Sequence, residues 1–487
     1  MTTLAALLSA LRDADQLVHA PAALPDVTAL TDDSRSVEPG ALFCAIPGTK
    51  RDGHDHVADA AGRGAVAAVV SRRLPVALPQ IVVRDARSAL AVLARAWFGG
   101  PADGMTLIGV TGTNGKTTTV SLVRHLLNGD GDAGFIGTLG AFDGAGEPLP
   151  ASESLTTPGV LGLQGIFAEL RRRGVETVAM EASSHALDQR RLDTLVLHAA
   201  VYTNLTHDHL DYHPTLEAYR DAKARLSSYV AAGGVEIVNR DDPSWRHLAA
   251  RPTLRRVSCA VETEADVCAT DVVLRPDGAD AVFVFGEVSA PVRIPLLGGF
   301  NVANAVAAAA TAWALGMNPA AVAARLATAP QVPGRLEKLA EPGFLVLRDY
   351  AHTPDALERA IAAVRPVTHG RLIVVFGAGG DRDRTKRPLM GRIAVRDADL
   401  AIVTSDNPRT EDPERILDDV EAGMGGMPHV RIADRRAAIQ HALDVARDGD
   451  CVLLAGKGHE TYQVVGREYL PFDEREIVQA VLSGERT

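Results

Sequence analysis

Val110-Thr-Gly-Thr-Asn-Gly-Lys-Thr-Thr-Thr119 follows an apolar run, Met105 to Val110, and precedes Val120-Ser-Leu-Val-Arg-His-Leu-Leu127, whose apolar residues fall at helical spacing. Strand, glycine-rich turn and helix start together predict a phosphate cradle. The glycines let backbone N–H groups turn toward an anion, and the helix N-terminus adds partial positive charge. Lys116 is placed to reach the outer phosphates and the Thr117 hydroxyl to hold Mg²⁺. The general P-loop pattern asks for glycine where Val110 stands; the glycines here are Gly109 and Gly112, so a variant loop is expected. The alternative, an ordinary strand-to-helix turn with a solvated lysine, does not explain Gly-Lys-Thr in this structural context.

A chain of 487 residues predicts two to four domains with a sizeable core. Apolar content of 46% and charged content of 23% are those of a soluble globular protein. With 4% aromatics, the core must be built from Ala, Val and Leu. The net charge of −11 argues against a nucleic-acid or membrane-surface binder, so any anionic ligand must meet local basic clusters. Cys44, Cys259, Cys268 and Cys451 form no close pair of metal or redox type and read as buried filler in a reducing compartment. The N-terminus reads as an amphipathic helix rather than a signal peptide, and no apolar run is long enough to span a membrane. The expected location is cytoplasmic.

Three α/β domains are expected. Residues 1–100 carry strand patterns at Ala41–Ile46, Ala65–Val70 and Gln80–Arg84, with helices over His56–Gly62 and Ala86–Phe98. Residues 101–332 form a central, mostly parallel P-loop-type sheet. Its strands Thr177–Met180 and Ala199–Thr203 lead into the polar segments Glu181–His185 and Asn204–His213. Residues 266–296 read as an antiparallel insert or sheet edge, followed by Ala-rich helices over Asn301–Leu315 and Ala320–Ala329. Residues 333–487 alternate strand and helix in a doubly wound, Rossmann-like pattern. Ligands of such sheets bind beyond the carboxyl ends of strands. That singles out Asp349–His352, Gly377–Arg387, Ser405–Arg409 and Gly456–Glu460.

Glu181 and His209 lie at the ends of two strands of the expected P-loop sheet, and with Thr117 they form a hard donor set for Mg²⁺. Arg382, Arg384, Lys386 and Arg387 crowd one loop of an acidic protein, and Arg409 follows Asp406 and Asn407. Guanidinium groups fork onto carboxylates, and acids receive an ammonium, so this loop set suits an amino-acid zwitterion. A salt-bridged surface is the competing reading. Nothing physical in the sequence singles out Lys223.

Together these motifs resemble the Mur ligases, which build the peptide of bacterial cell-wall precursors. The match runs through all three domains in family order: Thr111–Thr118, Glu181–His185, Asn204–His213, Asn301–Asn304, Gly334-Arg335 and Asp349–His352. Within the family, Asp406-Asn-Pro-Arg409 and Gly456-Lys-Gly-His-Glu460 resemble the substrate loops of members that add diaminopimelate as the third residue.

The resemblance implies that Gly112, Thr113, Asn114, Gly115, Lys116, Thr117 and Thr118 bind ATP, with Asn304, Arg335, Asp349 and His352 on another side of the nucleotide. It implies Mg²⁺ on Thr117, Glu181 and His209, and a carbamylated Lys223 acting with Lys116 and His209 in catalysis. Ser34, Thr49, Lys50, Arg51, Thr156, Thr157, Ser183, Gln189 and Arg191 match positions holding a UDP-linked dipeptide. Arg382, Asp406, Asn407, Pro408, Arg409, Gly456 and Glu460 match the diaminopimelate pocket. The implied reaction is ATP-dependent amide formation through an acyl phosphate, in a monomer whose partners are small molecules and whose third domain closes over the second. Rival readings are a lysine- or folate-type ligase of the same fold, a P-loop hydrolase or regulatory protein, and a Rossmann oxidoreductase. The last needs Gly-x-Gly-x-x-Gly, which the Gly-Lys-Thr loop is not.

Overall fold

The computed structural model describes residues 3–21, 26–48, 51–150, 155–206, 208–209 and 212–484. The chain divides into two compact units, Met1–Val257 and Ser258–Thr487. It is an α/β protein with three sheet-bearing domains and mostly parallel strands.

The first unit opens with a five-stranded sheet in the order Leu17–His19, Gln80–Val83, Ala67–Val70, Ala41–Cys44, Ala29–Thr31. All pairs are parallel except the one made by Leu17–His19. The two outer strands carry no alternating pattern and are absent from the sequence reading; the three central ones lie within one or two residues of their expected ends. Helix Ala86–Trp97 starts where the Asp85 carboxylate accepts the N–H groups of Arg87 and Ser88.

The same unit contains the parallel core around Thr106–Thr111. Thr177–Glu181 and Leu197–Tyr202 flank it, with Ala133–Gly137 and Val230–Asn239 beyond them. Register places Glu181 beside Val110, and Tyr202 beside Thr111, so the polar segments after all three strands emerge at one sheet edge. Leu107, Ile108 and Val110 are fully buried, as a strand covered on both faces requires. At Gly109 an added Cβ would lie 2.9 Å from Leu197 Cδ1 and 3.0 Å from Leu226 Cδ1, so the neighbours leave little room for a side chain.

In the second unit, Val267–Arg275, Gly278–Phe285 and Val288–Ile294 form the expected antiparallel meander. Helices Gly299–Ala314 and Pro319–Leu326 follow. A six-stranded sheet then runs Glu337–Ala340, Leu345–Asp349, Cys451–Ala455, Leu372–Phe376, Leu400–Val403, Val430–Arg431; only the first strand is antiparallel. Alternate residues face opposite cores: Leu347, Val374 and Leu453 one, Val346, Ile373 and Val452 the other. Helices therefore cover both faces, the doubly wound arrangement. Three elements have no counterpart in the sequence reading: strand Glu337–Ala340, the hairpin Tyr462–Val465/Glu468–Pro471, and helix Glu474–Ser483. Lys386 and Arg387 open helix Lys386–Asp397 instead of lying in the preceding loop. Among the described residues no helix is long and apolar enough to cross a membrane.

Candidate active site

In the first unit the turn after Thr111 is shaped by what surrounds it. Gly112 has φ 151°, and a Cβ there would sit 1.9 Å from Thr203 Oγ1. Gly115 has φ 83° and caps helix Lys116–Leu127. The segment after Leu197–Tyr202 braces the loop. Thr113 N–H donates to the Asn204 carbonyl at 2.7 Å, and Asn114 N–H to Asn204 Oδ1 at 2.9 Å. Thr203 Oγ1 donates to the Asn114 carbonyl at 2.7 Å. The Lys116 ammonium folds back over the loop, donating to the carbonyls of Gly112 at 3.0 Å and Thr113 at 2.8 Å.

Lys223, on helix Leu216–Ala224, donates to the same Gly112 carbonyl at 2.6 Å and is only 1% exposed. Its Nζ lies 4.4 Å from the centroid of the Tyr219 ring, and the Tyr219 hydroxyl lies 3.2 Å from Thr113 Oγ1. Burial, and secondarily the nearby Lys116 charge, depress the Lys223 pKa well below its ordinary value, against the pull of Asp208. The neutral amine is thereby favoured. Residue pattern alone picks out neither Tyr219 nor Lys223, the latter marked only by the family resemblance, because their contacts are made with a loop more than a hundred residues away.

Glu181 is buried, with Oε1 accepting from Thr138 N–H at 2.9 Å. Its carbonyl accepts from Thr157 Oγ1 at 2.8 Å, and Thr157 Oγ1 accepts in turn from Ser183 N–H at 3.0 Å. Arg191 Nη1 donates to the Thr157 carbonyl at 2.6 Å and its Nη2 to Gln189 Oε1 at 2.8 Å. Thr138 Oγ1 links Thr156 Oγ1, 3.1 Å away. Thr156, Thr157, Ser183, Gln189 and Arg191 thus share one network with Glu181. No described cationic side chain forms an ion pair with Glu181, so a divalent cation fits as its counter-ion. His209 has φ 53°, lies 3.5 Å from Asp208 through Nε2, and packs edge-on against His185. Among the described residues no three His, Cys, Asp or Glu side chains form a metal-holding group. A carboxylate, an imidazole and a hydroxyl are donors whose chemistry suits Mg²⁺ together with phosphate oxygens.

The N-terminal candidates are more scattered. Ser34 begins a short turn whose Arg35 is ion-paired with Asp33 at 2.7 Å. Thr49 and Lys50 lie outside the described residues. Arg51 precedes a fixed corner: Asp52 Oδ1 meets His54 Nδ1 at 2.6 Å, and His54 Nε2 accepts from Ser71 N–H at 3.0 Å.

In the second unit the structure sorts the basic cluster. Arg387 is fully buried and paired with Glu411 and Asp419, both at 2.8 Å. Arg384 is held by Glu411 at 2.7 Å, and Lys386 donates to the His352 carbonyl at 2.9 Å. Arg382 and Arg409 make no ion pair with a described carboxylate. They converge above Gly379, where a Cβ would lie 2.9 Å from Arg409 Nη1 and 3.8 Å from Arg382 Cγ. Arg409 has φ 53° and is pinned through Gly380, whose carbonyl accepts from Nη1 at 2.8 Å, and through Val464, whose carbonyl accepts its N–H at 3.0 Å.

Asp406, Asn407 and Glu460 meet beside this pair. Asn407 Nδ2 donates to Glu460 Oε2 at 2.8 Å, and Gly456 presents only a hydrogen toward the Asp406 carboxylate. Gly334-Arg335 packs against Gly458-His459, and the Arg335 guanidinium lies 4.9 Å from the Tyr350 ring centroid. Asp349 Oδ2 accepts from Leu336 N–H at 2.8 Å, and burial pushes its carboxyl up to about 6 despite Arg335. Arg335, Asp349 and His352 therefore adjoin the Gly456–Glu460 loop. Asn304 lies on helix Gly299–Ala314, donating to Asn301 Oδ1 at 2.9 Å. A cavity of about 510 Å³ adjoins the loop through Ser405, Pro408 and Gln463, but Asp406, Asn407 and Arg409 do not line it.

His459 Nδ1 is buried without a hydrogen-bond partner, and burial with Arg335, Arg348 and His352 lowers its pKa to about 4. The unfolded chain therefore takes up this proton near pH 6.5, before the folded chain does. Stability is present above that pH and lost as it falls toward 4. His459→Gln is expected to flatten this acid limb by about 2 kcal/mol in urea titrations at pH 4 against pH 7. An unchanged limb would show that the ring is solvated.

Comparison with known proteins agrees with this architecture. Three family profiles match: "Mur ligase family, catalytic domain" over residues 26–98, "Mur ligase middle domain" over 110–312, and "Mur ligase, glutamate ligase domain" over 334–458. UDP-N-acetylmuramoyl-L-alanyl-D-glutamate--2,6-diaminopimelate ligase of Geobacillus thermodenitrificans is 44% identical over 475 residues, 95% of this chain and 96% of its own. The like-named protein of Gloeobacter violaceus is 45% identical over 469 residues, covering 95% of each chain. A solved structure of a ligase of that name superposes with a TM-score of 0.67 at 35% identity, covering 95% of this chain and 96% of the other. With profiles matched in all three regions and relatives aligned nearly end to end, this chain belongs to the Mur ligase family.

Proposed function

We propose that this chain is an ATP-dependent ligase that joins meso-2,6-diaminopimelate to UDP-N-acetylmuramoyl-L-alanyl-D-glutamate in peptidoglycan precursor synthesis. The observation that carries the reading is the pair Arg382 and Arg409, without carboxylate partners among the described residues, beside the acids Asp406 and Glu460. A zwitterion with an extra carboxylate suits that arrangement. The domains are residues 1–100 for the UDP-sugar, 101–332 for ATP and 333–487 for the amino acid, in a cytoplasmic monomer.

The dipeptide's free carboxylate attacks the γ-phosphorus of ATP, releasing ADP and giving an acyl phosphate. The diaminopimelate amine then attacks the acyl carbon, loses a proton and expels phosphate. Lys116 and the loop N–H groups offset charge on the transferring phosphoryl group. Mg²⁺, when bound through Thr117, Glu181 and His209, supplies further positive charge at the phosphate oxygens. Thr156, Thr157, Ser183, Gln189 and Arg191 hold the dipeptide end, with Ser34, Thr49, Lys50 and Arg51 toward the uridine. Asn304, Arg335, Asp349 and His352 contact the nucleotide.

Lys223 is carbamylated in this reading; its depressed basicity supports it, since CO₂ adds to a neutral amine. A carbamate ¹³C resonance is expected after incubation with ¹³C-bicarbonate in wild type and not in Lys223→Ala; equal spectra would remove the assignment. The reaction itself is tested by phosphate release with ATP, Mg²⁺ and the UDP-dipeptide, supplied with diaminopimelate, lysine or neither. Release only with diaminopimelate is expected. Release independent of amino acid would make the chain a hydrolase, and release only with lysine would move the substrate.

A further inference from the structure

We propose that Lys457 is the positioning cation of the amino-acid site: it gathers Asn407, Asp406 and Glu460 into one cradle whose remaining negative charge receives the ammonium of the incoming amino acid. This rests on the ligase reading above and adds a residue to it.

Lys457 is fully buried in the turn after strand Cys451–Ala455, between Gly456 at φ 120° and Gly458 at φ 53°. Its Nζ donates to Asn407 Oδ1 at 3.0 Å and to the Tyr462 carbonyl at 2.8 Å. The same nitrogen lies 3.5 Å from both Asp406 Oδ1 and Glu460 Oε2. One ammonium thus ties together three segments: the Asp406–Arg409 loop, the Gly456–Glu460 loop and the hairpin. Asn407 completes the tie, since Oδ1 also accepts from Val464 N–H at 2.9 Å.

Charge counting gives the consequence. Among the described residues Asp406 and Glu460 each ion-pair only with Lys457, so direct contact matches two carboxylates with one ammonium and leaves about one negative charge without an ion-pair partner of its own. Asp406 Oδ1 accepts no hydrogen bond, and the glycine at 456 leaves its carboxylate uncovered by a side chain. A single ligand ammonium balances the set. A buried ammonium with no such role would be costly, and an apolar side chain would fill the turn without that cost.

Other charges around the cluster are Arg435, His352 and Lys386 on the cationic side, with the phenols Tyr350 and Tyr462 nearby. Burial pushes Asp406 up, but Lys457, then Arg435 and His352, outweigh it and hold the carboxyl below its ordinary value. Glu460 is raised by burial, with Lys457 and Asn407 opposing the rise. Without Lys457 both acids take up protons at higher pH, and a protonated acid no longer attracts an ammonium.

The test uses the full chain with saturating ATP, Mg²⁺ and UDP-dipeptide, and diaminopimelate varied between pH 6.5 and 9. Lys457→Met is expected to raise KM for diaminopimelate about tenfold or more, increasingly as pH falls, with a smaller change in kcat. KM for ATP and for the UDP-dipeptide should stay within about twofold. Lys457→Arg should keep the wild-type shape of the pH profile. Lys457→Met/Glu460→Gln removes the cation with one anion and serves if the single variant does not fold; its KM should exceed wild type without the extra rise at low pH. The proposal is overturned if KM for diaminopimelate stays within twofold of wild type across the range, or if all three substrates weaken together. A wild-type enzyme that does not respond to diaminopimelate would overturn the ligase reading instead, and Lys457 with it.

Discussion

Replacing Lys116 by alanine is expected to lower kcat for diaminopimelate-dependent phosphate release by about a thousandfold or more, leaving KM for diaminopimelate nearly unchanged. Removing one preorganised donor from a site of developing charge costs about a hundred- to a thousandfold, and cationic groups on a transferring phosphoryl sit at or above that range. The geometry puts Lys116 at the upper end. Its ammonium is not free to wander: two carbonyls of its own loop hold it, at 3.0 and 2.8 Å. The loop in turn is clamped by Thr203 and Asn204, with no room for a side chain at Gly112. A preorganised charge loses little entropy when the phosphates arrive, so its deletion is not made good by a neighbour. Lys223 cannot replace it, because that amine is buried and disfavours its charged form. Lys116→Arg should recover little, since a planar guanidinium does not reproduce a point charge held at two carbonyls. If Lys116→Ala kept kcat within tenfold of wild type, the loop would not be the phosphoryl-transfer site.

The parts of this molecule that were legible in the sequence are those fixed by local pattern. Apolar runs bounded by turn residues marked most of the parallel strands, though not Ala29–Thr31, Ala133–Gly137, Val230–Asn239 or Arg255–Ala260, and the Gly-Lys-Thr turn marked the cradle. Asp85, Thr353 and Asp412 each accept an N–H at the helix start that they precede. Elements whose existence depends on distant partners were not legible. The hairpin Tyr462–Pro471 exposes Tyr469 and Leu470 and has no alternating core face; bonds from Val464 and Gln463 to Asn407 and Asp406 attach it to the Asp406–Arg409 loop. Leu17–His19 is three residues long and owes its place to Val83 and Val82. The same limit applies to side chains. Seen alone in sequence Lys223 is a solvated lysine and Lys457 is one member of the Gly456–Glu460 loop with no role of its own, and what makes each unusual is burial against a carbonyl or carboxylate brought from another loop. The arginine cluster shows the converse. Composition made five basic residues equivalent, and it is Glu411, Asp419 and the His352 carbonyl that engage Arg384, Arg387 and Lys386 and leave Arg382 and Arg409 without an ion pair among the described residues.

That separation carries the second large effect. Arg409→Ala is expected to reduce the preference for diaminopimelate over lysine, measured as the ratio of kcat/KM values, by at least about thirtyfold. Truncating one partner of a desolvated ion pair costs about 2–5 kcal/mol, whereas an exposed pair is worth about 0–1. Arg409 belongs to the first class. Its guanidinium is half-buried, its backbone is fixed by Val464 and Gly466, and the carboxylate that would pair with it must come from the ligand. Lysine lacks that second carboxylate and leaves the guanidinium unsatisfied, so the variant should lose activity on diaminopimelate while the rate on lysine holds or rises. Arg384 supplies the control. It is 68% exposed and already spoken for by Glu411, so Arg384→Ala should move the ratio less than about twofold. Equal effects of the two substitutions, or a wild-type ratio in Arg409→Ala, would place the discriminating group elsewhere in the pocket, with Arg382 the next guanidinium to replace.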